Sequence, residues 1–278
     1  MFATPLIPVV LAAYYLGGPA AGALLAVVGV ILGVAVYRMS PKVLLRWYGA
    51  RKMSRETYTF IYPYLAKISS DLDVPMPQPY VFDSAAPITF TVGNNNRYYL
   101  LVSTASLDML DKDELKSIIT LEVTKVSKGS VGANTVVALL AGSIASLSTV
   151  ALWMAMLTGF GQEDDPAPRT ISFLAMGMVS LPSALLVHIF TIDSTVEADR
   201  MAAGMMAEPC LLAEALERTG TYIKLHVTGG FNPGHAHLFS VNPLKTNTIF
   251  DVYSSMFLTK PDIRQRVMYL ENIKKVNP

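Results

Sequence analysis

The chain has 278 residues; 52% are hydrophobic, only 15% are charged, and the mean hydropathy is +0.40. Soluble domains carry about 25% charged residues, so the composition excludes an ordinary soluble domain and points to an integral membrane protein. A net charge of +1 excludes the basic signature of a nucleic-acid binder, and the single cysteine, Cys210, excludes an internal disulfide or a cysteine metal site.

In chain order, residues 2–16 are apolar and end at Gly17-Gly18-Pro19, a turn signal. Residues 20–37 are uncharged and rich in Ala, Gly, Val and Leu, so the two stretches predict a transmembrane hairpin over 1–39. A cleaved signal peptide is not expected, because the basic amino-terminal region is missing and a second span follows at once. Residues 41–72 predict one or two helices. Short β-prone runs follow at 80–82, 88–92 and 98–103, with Gly93-Asn94-Asn95-Asn96 as a hairpin turn. Residues 106–128 predict a helix with acidic residues early and Lys125 and Lys128 late, which suits the helix dipole. It runs into a third apolar stretch at 131–157, and a fourth follows at 171–192. Each is long enough to approach the roughly 20 residues that cross a bilayer. Helices are predicted at 197–206, 211–219 and 261–273. The implied domains are a hairpin at 1–39, a soluble part at 40–130, a second hairpin at 131–192 and a closing part at 193–278.

Lys and Arg placement sets the expected topology. Arg38, Lys42, Arg46, Arg51 and Lys52 follow the second stretch, and Lys112, Lys116, Lys125 and Lys128 precede the third, whereas the turns on the other side hold only Arg169. The positive-inside rule then puts 38–130 and 193–278 in the cytoplasm of a multi-pass protein of the plasma or inner membrane.

The segments that carry chemistry are VLLRWYGARKMSRETY (43–58), DVPMPQPYVFDSAAPITFTVGNNNRYYLLVSTASLDMLDKDELKSII (73–119), TLEVTK (120–125), STVEADRMAA (194–203), AHLFSVNPL (236–244) and FLTKPDIRQRVMYLENI (257–273). In this order they resemble the HtpX-type membrane zinc metallopeptidases over roughly residues 41–278. The resemblance implies an α+β, zincin-like domain on four transmembrane helices, split by the second hairpin. It also implies that an H-E-x-x-H helix falls on residues 121–125. That motif places two histidines on one helix face to bind zinc and a glutamate between them as general base.

Carried over residue by residue, the two histidine positions are Leu121 and Lys125, and the third ligand position is Thr195; Glu122, at the base position, and Asp199 are retained. Leucine offers no lone pair and an ammonium repels a dication. The expectation is therefore no zinc, no other cofactor and no catalysis: a pseudo-protease serving as an accessory, structural or client-binding subunit of a membrane complex. The alternatives are a zinc-dependent membrane endopeptidase with an atypical site, or a quality-control adaptor for an active protease. Lys125 is expected to pair with Glu122 or Asp199 in place of a metal.

Partners are expected to be integral membrane proteins, packed through the small residues of the spans, together with lipid. A peptide tail is expected in the cleft near Arg97, Tyr98 and Tyr99, taking the 97–103 strand as a free sheet edge. His235 and His237 could form an H-x-H metal pair or a loop pair with structural hydrogen bonds, and His188 a polar contact inside the fourth span.

Overall fold

A computed structural model describes residues 6–157, 181–226, 231–244 and 256–276. Helix α1 (Leu6–Trp47) is broken at Gly18, whose φ of 80° lies in the left-handed region that glycine tolerates. Beyond the break the chain folds back. A side chain at Gly22 would stand 3.0 Å from Tyr14 Cβ, whereas eight residues of straight helix would separate the two by about 12 Å. Pro41 lies inside the same helix and cannot donate to the carbonyl of Tyr37. That carbonyl accepts instead from Ser40 Oγ at 3.1 Å and from Asn94 Nδ2. A helix defect thereby becomes a tie to the sheet.

Four strands follow the order β1 (Arg51–Lys52), β2 (Gln78–Phe82), β4 (Arg97–Ser103), β3 (Thr89–Asn94) across the sheet. Helix α2 (Ile61–Asp71) links β1 to β2. Strands β3 and β4 form an antiparallel hairpin with positive φ at Asn95 and Asn96, and β4 inserts parallel to β2. The expected free edge is therefore corrected: β4 pairs on both sides from Tyr99 to Val102, and only Arg97 and Tyr98 extend past β2. The edge strand on that side is β3, and it is buried throughout, because α1, the helices at Lys112–Ser127 and Ser130–Leu157 and the 231–244 segment cover it. Gly93 is the point of closest approach. Its N–H donates to Thr135 Oγ1 at 3.0 Å, and a Cβ there would come within 2.5 Å of the Arg97 carbonyl.

The helix expected at 106–128 is two helices, α3 (Thr104–Met109) and α4 (Lys112–Ser127). The break is chemical. Asp111 caps α4 by accepting from the N–H groups of Asp113 and Glu114, and the Glu114 carboxylate accepts from Asp111 N–H at 2.9 Å. This is a reciprocal capping box. Gly129, at φ 71°, ends α4 in a left-handed conformation, and α5 (Ser130–Leu157) starts at once.

Helices α6 (described over Leu181–Phe190), α7 (Thr195–Gly204), α8 (Cys210–His226) and α9 (Ile263–Val276) complete the described residues. Helix α6 lies along α5, where Ser183 Oγ donates to the Ala141 carbonyl and Asn134 exchanges two hydrogen bonds with Ile192. His188 donates from Nε2 to the Met256 carbonyl rather than to another span.

The fold is α+β, as expected. Among the described residues, two helical stretches could cross a membrane by length and composition, Val10–Trp47 and Ser130–Leu147. Residues 171–180 of the stretch expected as a fourth span, and the start of the first, lie outside the described residues. The main core joins α2, α4, α7 and α8 to the sheet around Leu65, Phe90, Leu101, Ile119, Leu121 and Phe239.

Candidate active site

Helix α4 passes through the centre of the domain, and every residue from Leu115 to Val126 except Lys116 is buried. A wholly enclosed helix must bury polar side chains along with apolar ones, and each needs a partner. Tyr64 and Thr120 hydroxyls meet at 2.7 Å, and Thr124 Oγ1 donates to carbonyls of Leu121 and, across the helix interface, Ala198.

Glu122 and Lys125 form the central group. Lys125 Nζ lies 2.5 Å from Glu122 Oε1, with the carboxylate fully buried and the lysine side chain 10% exposed. Ser240 Oγ accepts from Lys125 Nζ at 3.0 Å and donates to Glu122 Oε1. Oε2 of Glu122 has no partner among the described residues.

A second buried ion pair lies beside the first. Arg266 on α9 grips Asp199 on α7 in a two-pronged contact, with Nε–Oδ2 and Nη2–Oδ1 both 2.7 Å, and its Nη1 donates to the Ser240 carbonyl at 2.6 Å. Ser240 therefore joins the two pairs, one through its hydroxyl and the other through its main chain. Its own N–H donates to Thr89 on β3, which fixes the segment against the sheet. Lys260 completes the group and donates from Nζ to the Phe239 carbonyl at 2.6 Å. Burial, then the charges of Lys125 and Arg266, hold its ammonium well below the usual lysine range; Glu122 and Asp193 pull the other way.

The expected pairing of Lys125 with Glu122 is present, and Asp199 pairs with Arg266 instead. Thr195 and Lys125 line one small polar cavity of about 20 Å³. Leu121 points into the apolar core, fully buried. Arg97, Tyr98 and Tyr99 lie elsewhere. Arg97 and Tyr98 pair with Asn94 and Gly93 near the Tyr37 end of α1, and Tyr99 stacks edge-on against Tyr80 with ring centroids 5.7 Å apart.

His235 and His237 are a structural pair. Nδ1 of His235 shares a 2.7 Å hydrogen bond with the Tyr48 hydroxyl, while Nε2 of His237 donates to the Asn134 carbonyl. Burial pulls their pKa values down to about 3 and about 4, with the neighbouring His237 adding to the shift of His235. Both are neutral near pH 7.

Sequence reasoning did not single out Ser240, Lys260 or Arg266. Arg266 lies on an amphipathic helix whose charges read as a solvated face, and only the fold brings it to Asp199. Ser240 sits in a quoted segment, but a lone serine carries no motif.

Zinc needs three or four lone-pair donors around one point. Among the described residues no group of three or more His, Cys, Asp and Glu side chains converges. At the α4 position the donors are replaced by a leucine and by an ammonium already bound to Glu122. These residues do not fit a zinc ion there.

A family model described as peptidase family M48 matches residues 63–274, about three quarters of the chain. The chain is 28% identical over 245 residues to a protease HtpX homologue of Desulforapulum autotrophicum, covering 87% of this chain and 78% of that protein. It is 27% identical over 259 residues to one of Syntrophotalea carbinolica, covering 92% and 90%. With one of Thermococcus kodakarensis it is 26% identical over 263 residues, covering 94% and 89%.

These matches overturn two expectations. The non-catalytic accessory role gives way, because the family and the relatives are named as peptidases and proteases. The expected lack of any cofactor gives way too, because M48 peptidases are zinc metalloproteases. Both expectations came from donors missing at Leu121, Lys125 and Thr195. That deficit concerns three residues, whereas the family match spans the domain.

Proposed function

Since the chain belongs to peptidase family M48, we propose that it is a membrane-embedded endopeptidase with an atypical site, acting on polypeptides in the groove that Ser240 and Val241 line beside the buried Glu122 group. One observation carries this reading: Glu122, at the general-base position, is retained on a buried helix, with one carboxylate oxygen unpartnered among the described residues and so able to accept a proton. Lys125 and Ser240 hold the other oxygen and fix the rotamer, which is the preorganisation that a base needs. The Arg266–Asp199 clamp keeps α7 and α9 together behind Ser240.

Four spans in two hairpins, with the peptidase domain on the cytoplasmic face, form part of the same reading. Support comes from the reversal at Gly18, the apolar helix at Ser130–Leu147 and the Lys and Arg bias. Such a protein meets lipid and other integral membrane proteins through its spans.

The test is hydrolysis of casein by the detergent-purified chain, with zinc measured in the same preparation. Hydrolysis that Glu122→Gln abolishes supports the reading; stoichiometric zinc would mean that donors outside the described residues complete a site. A folded chain that binds casein but never cuts it overturns the reading and favours an adaptor.

A further inference from the structure

Beside the Glu122 group runs a groove of about 750 Å³, with Val241, Leu244, Phe257, Lys260 and Arg266 in its wall. Thr259 and Lys260 line both this groove and the small polar cavity that Lys125, His237 and Thr191 share. They are the hinge between an apolar channel and a polar pocket.

Two features of that hinge are unaccounted for. Thr259 Oγ1 is buried with no hydrogen-bond partner among the described residues. An unsatisfied buried hydroxyl is costly and calls for an explanation. Lys260 makes one hydrogen bond, to the Phe239 carbonyl, although an ammonium carries three donors. It forms no ion pair among the described residues, whereas the two nearby cations are spoken for: Lys125 by Glu122 and Arg266 by Asp199. Asp193 faces Lys260 across the polar cavity without an ion pair to it among the described residues, and the repulsion from Lys125 and Arg266 on its ammonium outweighs the attraction of Glu122 and Asp193. The one carboxylate in the groove's described lining is Asp262, opposed there by Lys224 as well. Two spare donors of the Lys260 ammonium thus stand beside an unused hydroxyl donor.

We propose that Lys260 and Thr259 form a carboxylate-binding subsite at the head of the groove, which seats the carboxylate of a polypeptide. A carboxylate accepts from both donors and offsets the repulsion that Lys125 and Arg266 exert on the Lys260 ammonium. The groove is far larger than a lone inorganic ion requires, and Val241, Leu244 and Phe257 offer apolar surface to the rest of the ligand. The carboxylate is a C-terminal group or an Asp or Glu side chain. The proposal rests on the peptidase reading only in treating that polypeptide as substrate.

The test is fluorescence anisotropy of labelled peptides with the full-length chain in detergent. A Glu122→Gln background, in which no cleavage is expected, keeps binding separate from turnover. One arm compares a free C-terminus with its amide, and the other an internal Glu with Gln. In one arm the charged form binds about tenfold tighter, the size of one charge-assisted contact. Lys260→Met abolishes that preference, Lys260→Arg retains part of it, and Thr259→Val weakens it severalfold. Circular dichroism confirms that each variant is folded; should Lys260→Met fail to fold, Lys260→Arg and Thr259→Val decide. Equal affinity for charged and neutral peptides in both arms overturns the proposal, as does an undiminished preference in Lys260→Met, or in Thr259→Val where that variant must decide. A chain that never cleaves but keeps the preference retains the subsite and loses the peptidase reading.

Discussion

Lys125→Met should destabilise the domain by about 3 kcal/mol. Breaking a buried ion pair by removing one partner costs about 3–5 kcal/mol, because the other charge stays buried. Glu122 is fully enclosed and would keep only Ser240 on Oε1, with Oε2 still unpartnered among the described residues. The low end of the range applies for two reasons. Lys125 itself is slightly exposed, and its removal relieves the repulsion it exerts on Lys260. At about 2–4 °C per kcal/mol for a chain of this size class, the melting temperature in detergent should fall by about 6–12 °C. Replacing both partners, Glu122→Gln with Lys125→Met, should recover most of that loss, since neutral replacements of a buried pair are often nearly neutral. The cycle also measures the coupling directly. A single variant melting within about a degree of the parent, or a double variant no better than the single, would refute the view that this pair is a buried electrostatic unit.

Gly93→Ala should disrupt the β3–β4 hairpin, since the new methyl would meet the Arg97 carbonyl at 2.5 Å and Tyr98 Cα at 2.7 Å; the expected loss is about 1–3 kcal/mol of overpacking, read as a fall in melting temperature. Asp111→Ala should cost about 1 kcal/mol by removing the cap of α4, visible as a smaller shift in the same assay. Acid should destabilise the fold through His235 and His237, whose folded pKa values of about 3 and about 4 lie below the unfolded value of about 6.5. The unfolded chain binds more protons in that window, so their contribution is complete above it and is lost as pH falls from about 6.5 toward 3–4, by up to about 1.4 kcal/mol per pH unit for each imidazole. A melting temperature that rises between pH 7 and pH 5 would contradict this assignment.

The elements with a local signature were legible in the sequence. Asn95 and Asn96 take the left-handed conformations that their turn requires, and the three longer strands fall where the β-prone runs lie. Strand β1 was not legible, because two residues, Arg51 and Lys52, carry no periodicity. The break between α3 and α4 was written in Asp111 and Glu114 as a capping box, but the continuing apolar pattern hid it. Strand order was the larger miss: nothing local says that β4 inserts between β2 and β3, so Arg97 to Ser103 read as an edge. At the site, Glu122 and Lys125 were visible because three residues of helix place them on one side. Ser240 reaches Lys125 across 115 residues of chain and Arg266 reaches Asp199 across 67, separations that no spacing rule encodes.

The account's central claim is that polypeptide cleavage depends on Glu122. Single-turnover cleavage of one protein substrate by the chain reconstituted in lipid vesicles, parent against Glu122→Gln, tests it most directly. A general base contributes about 10²–10⁴ to a rate, so Glu122→Gln should slow cleavage at least about a hundredfold while substrate binding persists. Equal rates for the two proteins, or a folded parent that binds the substrate without ever cutting it, would contradict the claim.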